Sequence, residues 1–170
     1  MKNILMILAV IAIGFTSCEN QTKNLSEEFD KLQNESDSIA EAHGALMAQH
    51  EQFKADHATI TQQLAGRELE DSTWLEELAR HEVVLSNHEA QMAKHDVLIK
   101  GHQELKNTFS SLTAEQMEEQ ISMMRDNHDA IMSDHETMRD DHEQIRDELE
   151  NIRENANNNA VEVDADETDG

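Results

Sequence analysis

The chemically distinctive residues of this 170-residue chain are its ten histidines, which recur at regular intervals. Three runs repeat every seven residues: His43, His50 and His57, then His81, His88, His95 and His102, and finally His128, His135 and His142. A spacing of seven returns a side chain to the same face of an α-helix. Imidazole nitrogens ligate Zn²⁺, Cu²⁺ and Ni²⁺, and three histidines with one water form a well-known type of zinc site. The spacing therefore makes binding of a divalent metal a hypothesis for this chain.

The elements that carry these histidines are expected to be long helices. Apolar residues between the histidines follow the heptad pattern of a coiled coil, and the chain has no proline and only five glycines. Sheets need more turn residues than that. A helix stop at Gly66 and a capping box at Thr113-Ala114-Glu115-Gln116 mark two helix ends. We predict helices over about residues 26–65, 73–107 and 113–153.

Three such helices with short connections predict an all-α fold, an up-down-up antiparallel three-helix coiled-coil bundle with histidine layers in its core. It is similar in architecture to a spectrin-type coiled coil and carries no family signature. If helices one and two fold back on each other about residue 69, residues that lie opposite each other have numbers that add to 138. Helix three runs parallel to helix one, and each of its residues is expected beside the helix-one residue whose number is 85 lower. The predicted layers are His43 with His95 and His128, His50 with His88 and His135, and His57 with His81 and His142. His102 then faces Ser36 and Ile121.

Layers of three buried histidines allow several functions. The rings can satisfy their nitrogens by bonding to one another and to water, which gives a structural polar core that fixes helix register. They can instead direct lone pairs at Zn²⁺, Cu²⁺ or Ni²⁺. Protonated rings could bind an anion or respond to pH. The sequence leaves these alternatives open, with all nine layer histidines as tentative metal ligands and no required cofactor.

The amino-terminal residues have the features of a targeting signal. A positively charged start precedes about a dozen apolar residues, too few to span a bilayer. These residues end in Phe15-Thr16-Ser17-Cys18, which contains the only cysteine. The arrangement resembles the signal peptide and lipobox of bacterial lipoproteins. The resemblance implies a signal peptide over residues 1–17, lipidation at Cys18, a tether over residues 18–25 and a membrane anchor in the bacterial envelope, on the periplasmic or outer-membrane side.

Charge and composition narrow the function further. A net charge of −24 disfavours nucleic-acid binding, which needs a positive surface. The chain shows no nucleophile–base arrangement and no phosphate loop, so we expect no enzymatic activity. The acidic, Asn-rich residues 154–170 are expected to be disordered. We therefore expect a lipid-anchored structural or interaction module, with an unknown envelope protein as a candidate partner. The alternatives are a metal-binding or metal-buffering protein and a long-helix homotrimeric spacer.

Overall fold

The computed structural model describes the backbone of residues 2–64 and 73–166, and the side chains of residues 20–64 and 73–156. It contains three long helices, α1 (Lys2–Leu64), α2 (Thr73–Leu105) and α3 (Ala114–Asp166). A short 3₁₀ helix, Phe109–Ser111, lies between α2 and α3. The three helices pack against one another, which confirms the predicted all-α three-helix bundle.

The first helix begins earlier than the sequence predicts. α1 is continuous from Lys2, so residues 18–25, expected to form a tether, are helical. No glycine or proline interrupts residues 15–43. Buried Leu25 extends the line of heptad positions that each helix turns toward the core, which we call the seam. The side chain of Cys18 lies outside those that the structure describes, as does the predicted helix stop at Gly66. Within the described residues, no helix has both the length and the hydropathy needed to cross a membrane.

Local capping residues and buried apolar residues account for the starts of α2 and α3 and for the end of α3. α2 begins at Thr73 as predicted, and the capping box before α3 is confirmed. The amide of Thr113 donates to Oε1 of Gln116 at 3.0 Å, and the amide of Gln116 donates to Oγ1 of Thr113 at 3.3 Å. The predicted helix end at residue 153 is too early, because α3 continues to Asp166 and Ala156 is buried against its neighbours.

The chain divides into two units, each built from parts of all three helices. The first unit comprises residues 1–42 and 95–132, and the second comprises residues 43–94 and 133–170. The larger core cluster of the first unit contains Leu25, Phe29, Leu32, Phe109, Met117, Ile121 and Met124. The larger cluster of the second unit contains Ile60, Leu64, Leu78, Leu85, Ile145, Leu149, Ile152 and Ala156. Every histidine of the chain is buried.

The predicted register between α1 and α2 is confirmed in both units. In the first unit Oγ of Ser36 on α1 lies 3.3 Å from Nδ1 of His102 on α2, and in the second unit the rings of His57 and His81 lie 5.7 Å apart. Both pairs have residue numbers that add to 138. These contacts show that α1 and α2 run antiparallel.

The predicted register of α3 is wrong by one heptad. His142, rather than His135, lies beside His50, so the offset from α1 is 92 instead of 85. The observed register brings Met117 and Ile121 against the apolar start of the α1 seam in the first unit. In the second unit it packs Ile152 and Ala156 with Leu64. A shorter offset would place these last two residues beyond the end of α1, so burial of apolar surface favours the longer offset.

Candidate metal centre

The candidate centre is a cluster of three histidines in the second unit, one from each helix. His50 lies on α1, His88 on α2 and His142 on α3. Each occupies the seam position of its heptad, so the packing of the helices brings all three rings to one level of the core. An apolar layer of Leu46, Met92 and Met138 lies one helical turn away. We call His50, His88 and His142 the histidine triad.

The triad is compact and excluded from water. One ring nitrogen from each histidine lies within 4.8 Å of those of the other two. Nδ1 of His50 and Nε2 of His142 are 3.0 Å apart, a hydrogen-bond distance. The exposed fractions of His50, His88 and His142 are 0%, 3% and 1%. Tetrahedral Zn²⁺ with bonds of about 2.1 Å holds its nitrogens about 3.4 Å apart, a separation that lies within the 4.8 Å limit of the triad.

An aspartate supports the triad from its outer side. Nε2 of His88 donates a hydrogen bond to Oδ2 of Asp141 at 3.0 Å. The Asp141 side chain is 38% exposed, whereas His88 is buried, so the carboxylate lies at the boundary between the core and solvent. A carboxylate that accepts from one nitrogen of a histidine fixes the ring and leaves the other nitrogen to ligate a metal. That other nitrogen is Nδ1 of His88.

Three nitrogens of the triad have unused hydrogen-bonding capacity. Nε2 of His50, Nδ1 of His88 and Nδ1 of His142 are buried and make no hydrogen bond to any residue that the structure describes. A buried polar atom without a partner costs about 1–3 kcal/mol. Nδ1 of His88 is therefore available to ligate a metal, whereas the unused nitrogens of His50 and His142 are not the nitrogens by which these two rings face each other.

The electrostatics keep two rings of the triad, His50 and His142, in the form that binds metal. Burial, reinforced by the neighbouring His88 and His50, lowers the pKa of His142 to about 4. Burial is also the main cause of the lowered pKa of His50, with His88 as the second cause. Both rings are therefore neutral at pH 7. Because a neutral imidazole keeps a lone pair for coordination, the triad could hold a metal ion.

The other predicted site residues of the second unit do not form the predicted layers. Nδ1 of His43 lies 3.0 Å from Nε2 of His135, so His135 belongs with His43 instead of with His50 and His88. His57 donates from Nε2 to the carbonyl oxygen of Leu78 at 3.0 Å. His57 and His81 are neighbours as predicted, but His142 is not their third member, because the α3 register is one heptad longer.

In the first unit, His128 and His102 form a pair. Their ring centroids are 5.0 Å apart, and Nδ1 of His128 lies 3.6 Å from Oε2 of Glu35. His102 faces Ser36 as predicted, and its neighbour on α3 is His128 instead of the predicted Ile121. His95 is buried on α2 of this unit. The predicted layer of His43, His95 and His128 is thus wrong, because the α3 histidine that contacts His43 is His135.

The sequence analysis missed Asp141 and Glu148, two acidic residues of α3 that accept hydrogen bonds from histidines of α2. Asp141 contacts His88, and Oε2 of Glu148 accepts from Nε2 of His81 at 2.5 Å. The sequence analysis considered only histidines as candidate metal ligands. A signal was present, because Asp141 and Glu148 each come directly before a seam residue of α3 and are seven residues apart. A position next to the seam is close enough to the adjacent helix for its side chain to reach across.

Comparison with known proteins gives no relative for this chain: no family model, curated protein or solved structure matches it significantly.

Proposed function

We propose that this protein is a non-enzymatic, lipid-anchored envelope protein whose helical bundle binds a divalent transition metal at the histidine triad. The observation that carries the proposal is the convergence of three buried imidazoles from three helices, with ring nitrogens within 4.8 Å of one another. A seam of heptads normally buries apolar residues, and three histidines at one level need a ligand or a network to satisfy their nitrogens.

The donor set favours Zn²⁺, Cu²⁺ or Ni²⁺ over Ca²⁺ or Mg²⁺. Neutral imidazole is an intermediate ligand that suits late first-row metals, whereas Ca²⁺ and Mg²⁺ prefer oxygen. Three histidines and one exchangeable position match four-coordinate Zn²⁺. Affinity at a given site generally peaks at Cu²⁺, so Cu²⁺ should compete with Zn²⁺ for the triad. The net charge of −24 would also concentrate cations near the surface.

The direct test is metal binding by the full chain, purified in detergent without a polyhistidine tag and stripped with a chelator. We expect one tight equivalent of Zn²⁺ by calorimetry at neutral pH, and competition by Cu²⁺ and Ni²⁺. At a free metal concentration of 100 times Kd, binding to the folded state alone adds about 2.7 kcal/mol to the free energy of unfolding. A rise of several degrees in Tm should accompany it.

Two variants make the test specific to the triad. His88→Leu should remove the tight equivalent, because loss of a ligand should cost at least the 10–100-fold in affinity that loss of an outer partner costs. His57→Leu makes the same chemical change at a buried histidine outside the triad and should retain the equivalent. Wild-type protein that binds Zn²⁺ no more tightly than His88→Leu would contradict the proposed function.

The envelope location rests on the resemblance of residues 15–18 to a lipobox. Cys18 would carry the acyl chains that anchor the protein, since each buried CH₂ contributes about 0.8 kcal/mol to membrane binding. We expect Cys18→Ser to abolish incorporation of labelled palmitate in bacterial cells and to move the protein from the membrane fraction to the soluble fraction. Ser17→Ala, which keeps the thiol and a small residue before it, is the matched control. Palmitate on the Cys18→Ser variant would contradict lipidation at this residue.

A second function, a structural module whose buried histidines serve only to fix helix register, is favoured by a separate observation. The hydrogen bonds between His43 and His135, and between His57 and Leu78, are made within the protein and need no metal. Polar contacts in a coiled-coil seam can fix register and orientation at some expense of stability. In this case His88→Leu would leave metal binding unchanged and raise Tm.

A further inference from the structure

Polar residues of α3 contact the histidines of α2 at one repeating heptad position. Asp141 contacts His88, and Glu148 contacts His81 one heptad away. Asn127 holds the same heptad position, fourteen residues before Asp141, and contacts His102, which lies fourteen residues after His88. The chain thus presents a carboxylate to two α2 histidines and a carboxamide to a third.

The carboxylates dictate where the ring proton of their histidine lies. An ionised carboxylate only accepts hydrogen bonds, so Nε2 of His88 must carry the proton that it donates to Asp141. The same holds for Nε2 of His81, 2.5 Å from Oε2 of Glu148. In a neutral ring, Nδ1 then holds the lone pair. In both rings Nδ1 is buried and has no hydrogen-bond partner in the described part of the chain.

The carboxamide dictates the opposite arrangement. Nδ2 of Asn127 lies 3.3 Å from Nε2 of His102, and an amide nitrogen only donates. Nε2 of His102 therefore accepts, and the ring proton lies on Nδ1. Nδ1 lies 3.3 Å from Oγ of Ser36, which accepts that proton. His102 and His88 thus have opposite tautomers, although they share a heptad position on α2.

We infer that the α3 residue before the seam sets the tautomer of the α2 histidine that it contacts, and that Asp141 is thereby the positioning residue for His88. The part of this inference that concerns metal binding rests on the proposed function. A carboxylate leaves the lone pair on buried Nδ1, where it can ligate a metal, whereas the carboxamide of Asn127, which faces His102 with its nitrogen, leaves a proton there. Metal binding at Nδ1 then displaces no proton from His88, because the ring proton remains on Nε2, bonded to Asp141. The negative carboxylate also increases the donor strength of the ring and stabilises the bound cation.

The tautomers can be measured without any metal. In full-length, metal-free protein labelled with ¹⁵N-histidine, the ring nitrogens distinguish N–H from a lone pair. Comparison with His88→Gln and His102→Gln assigns the signals. We expect wild-type His88 to carry its proton on Nε2 and His102 on Nδ1. Asn127→Asp should move the His102 proton to Nε2, because the new carboxylate cannot donate and Ser36 can donate instead. The same tautomer in both wild-type rings, or no change at His102 in Asn127→Asp, would overturn the inference.

The consequence for metal binding is tested by measuring the Zn²⁺ affinity of a matched set of variants. Asp141→Asn should weaken Zn²⁺ binding 10–100-fold, the usual effect of losing an outer carboxylate. Asp141→Glu should restore most of it, since Glu148 makes the same contact to His81. Asn127→Asp should leave the affinity of the triad unchanged. Equal affinity of Asp141→Asn and wild type would overturn the positioning role alone. A wild type that binds no Zn²⁺ would overturn the proposed function, while the tautomer measurement would still decide the rest.

Discussion

Metal-free protein is expected to lose several kcal/mol of its unfolding free energy as the pH falls from 7.5 to 5. Burial, with the neighbouring His128 as second cause, lowers the pKa of His102 to about 4, and the pKa of His142 is also about 4. In the unfolded chain both pKa values are about 6.5. Below pH 6.5 the unfolded state therefore binds protons that the folded state does not. Linkage then removes about 2 kcal/mol of stability for each of these two groups by pH 5.

The sign follows from the lowered pKa values. The stability is present above pH 6.5, is lost as the pH falls, and the loss ends below the folded pKa of about 4. The pKa values of His50, His57 and His128 are lowered too, with burial as the main cause, and add to the loss. Keeping the titration at pH 5 and above separates the histidines from carboxylates, which titrate lower.

Urea unfolding followed by circular dichroism at several pH values gives the measurement. The chain offers a control in His102→Gln, which keeps a polar side chain opposite Ser36 and Asn127 but cannot take up a proton. The variant should lose about 1.4 kcal/mol less per pH unit than wild type over the steepest part of the curve. A free energy of unfolding that stays constant between pH 7.5 and 5 would show that the histidines titrate as they do in water.

Replacing Met138 by alanine is expected to have the largest effect of any single apolar truncation near the triad. Met138 is 0% exposed and packs with Leu46 and Met92, one helical turn from His142. Truncation removes buried methylene and thioether groups and leaves a cavity between three helices. Changes of this kind lower the free energy of unfolding by about 2–5 kcal/mol.

The same helix supplies a matched control. Met132 is 47% exposed, so Met132→Ala makes the same chemical change where no cavity can form. We expect its effect to stay within about 0.5 kcal/mol. Guanidinium unfolding of the two variants and wild type at pH 7.5 compares them directly. Equal losses for Met138→Ala and Met132→Ala would mean that the Leu46, Met92 and Met138 layer is not a packed core.

The heptad pattern determined which residues the helices bury. Regular apolar and histidine positions specify one face of each helix, and burial of that face against two others follows from the hydrophobic effect. The burial of all ten histidines was therefore predictable. The pairing of α1 with α2 was predictable as well, because a short connection limits how far two antiparallel helices can slide. His57 beside His81 is one result.

Only the tertiary structure decided the register of α3 and the acidic partners of the histidines. A shift of seven residues keeps every seam residue on the seam, so the repeat cannot distinguish His135 from His142 as the neighbour of His50. The difference lies in the helix ends, where the observed register packs Ile152 and Ala156 with Leu64. Likewise, 37 acidic residues offer many candidates, and only interhelical distances single out Asp141 and Glu148. The physical reason is the same in both cases: a repeating sequence fixes which face of a helix is buried, whereas packing against the neighbouring helices fixes the position along it.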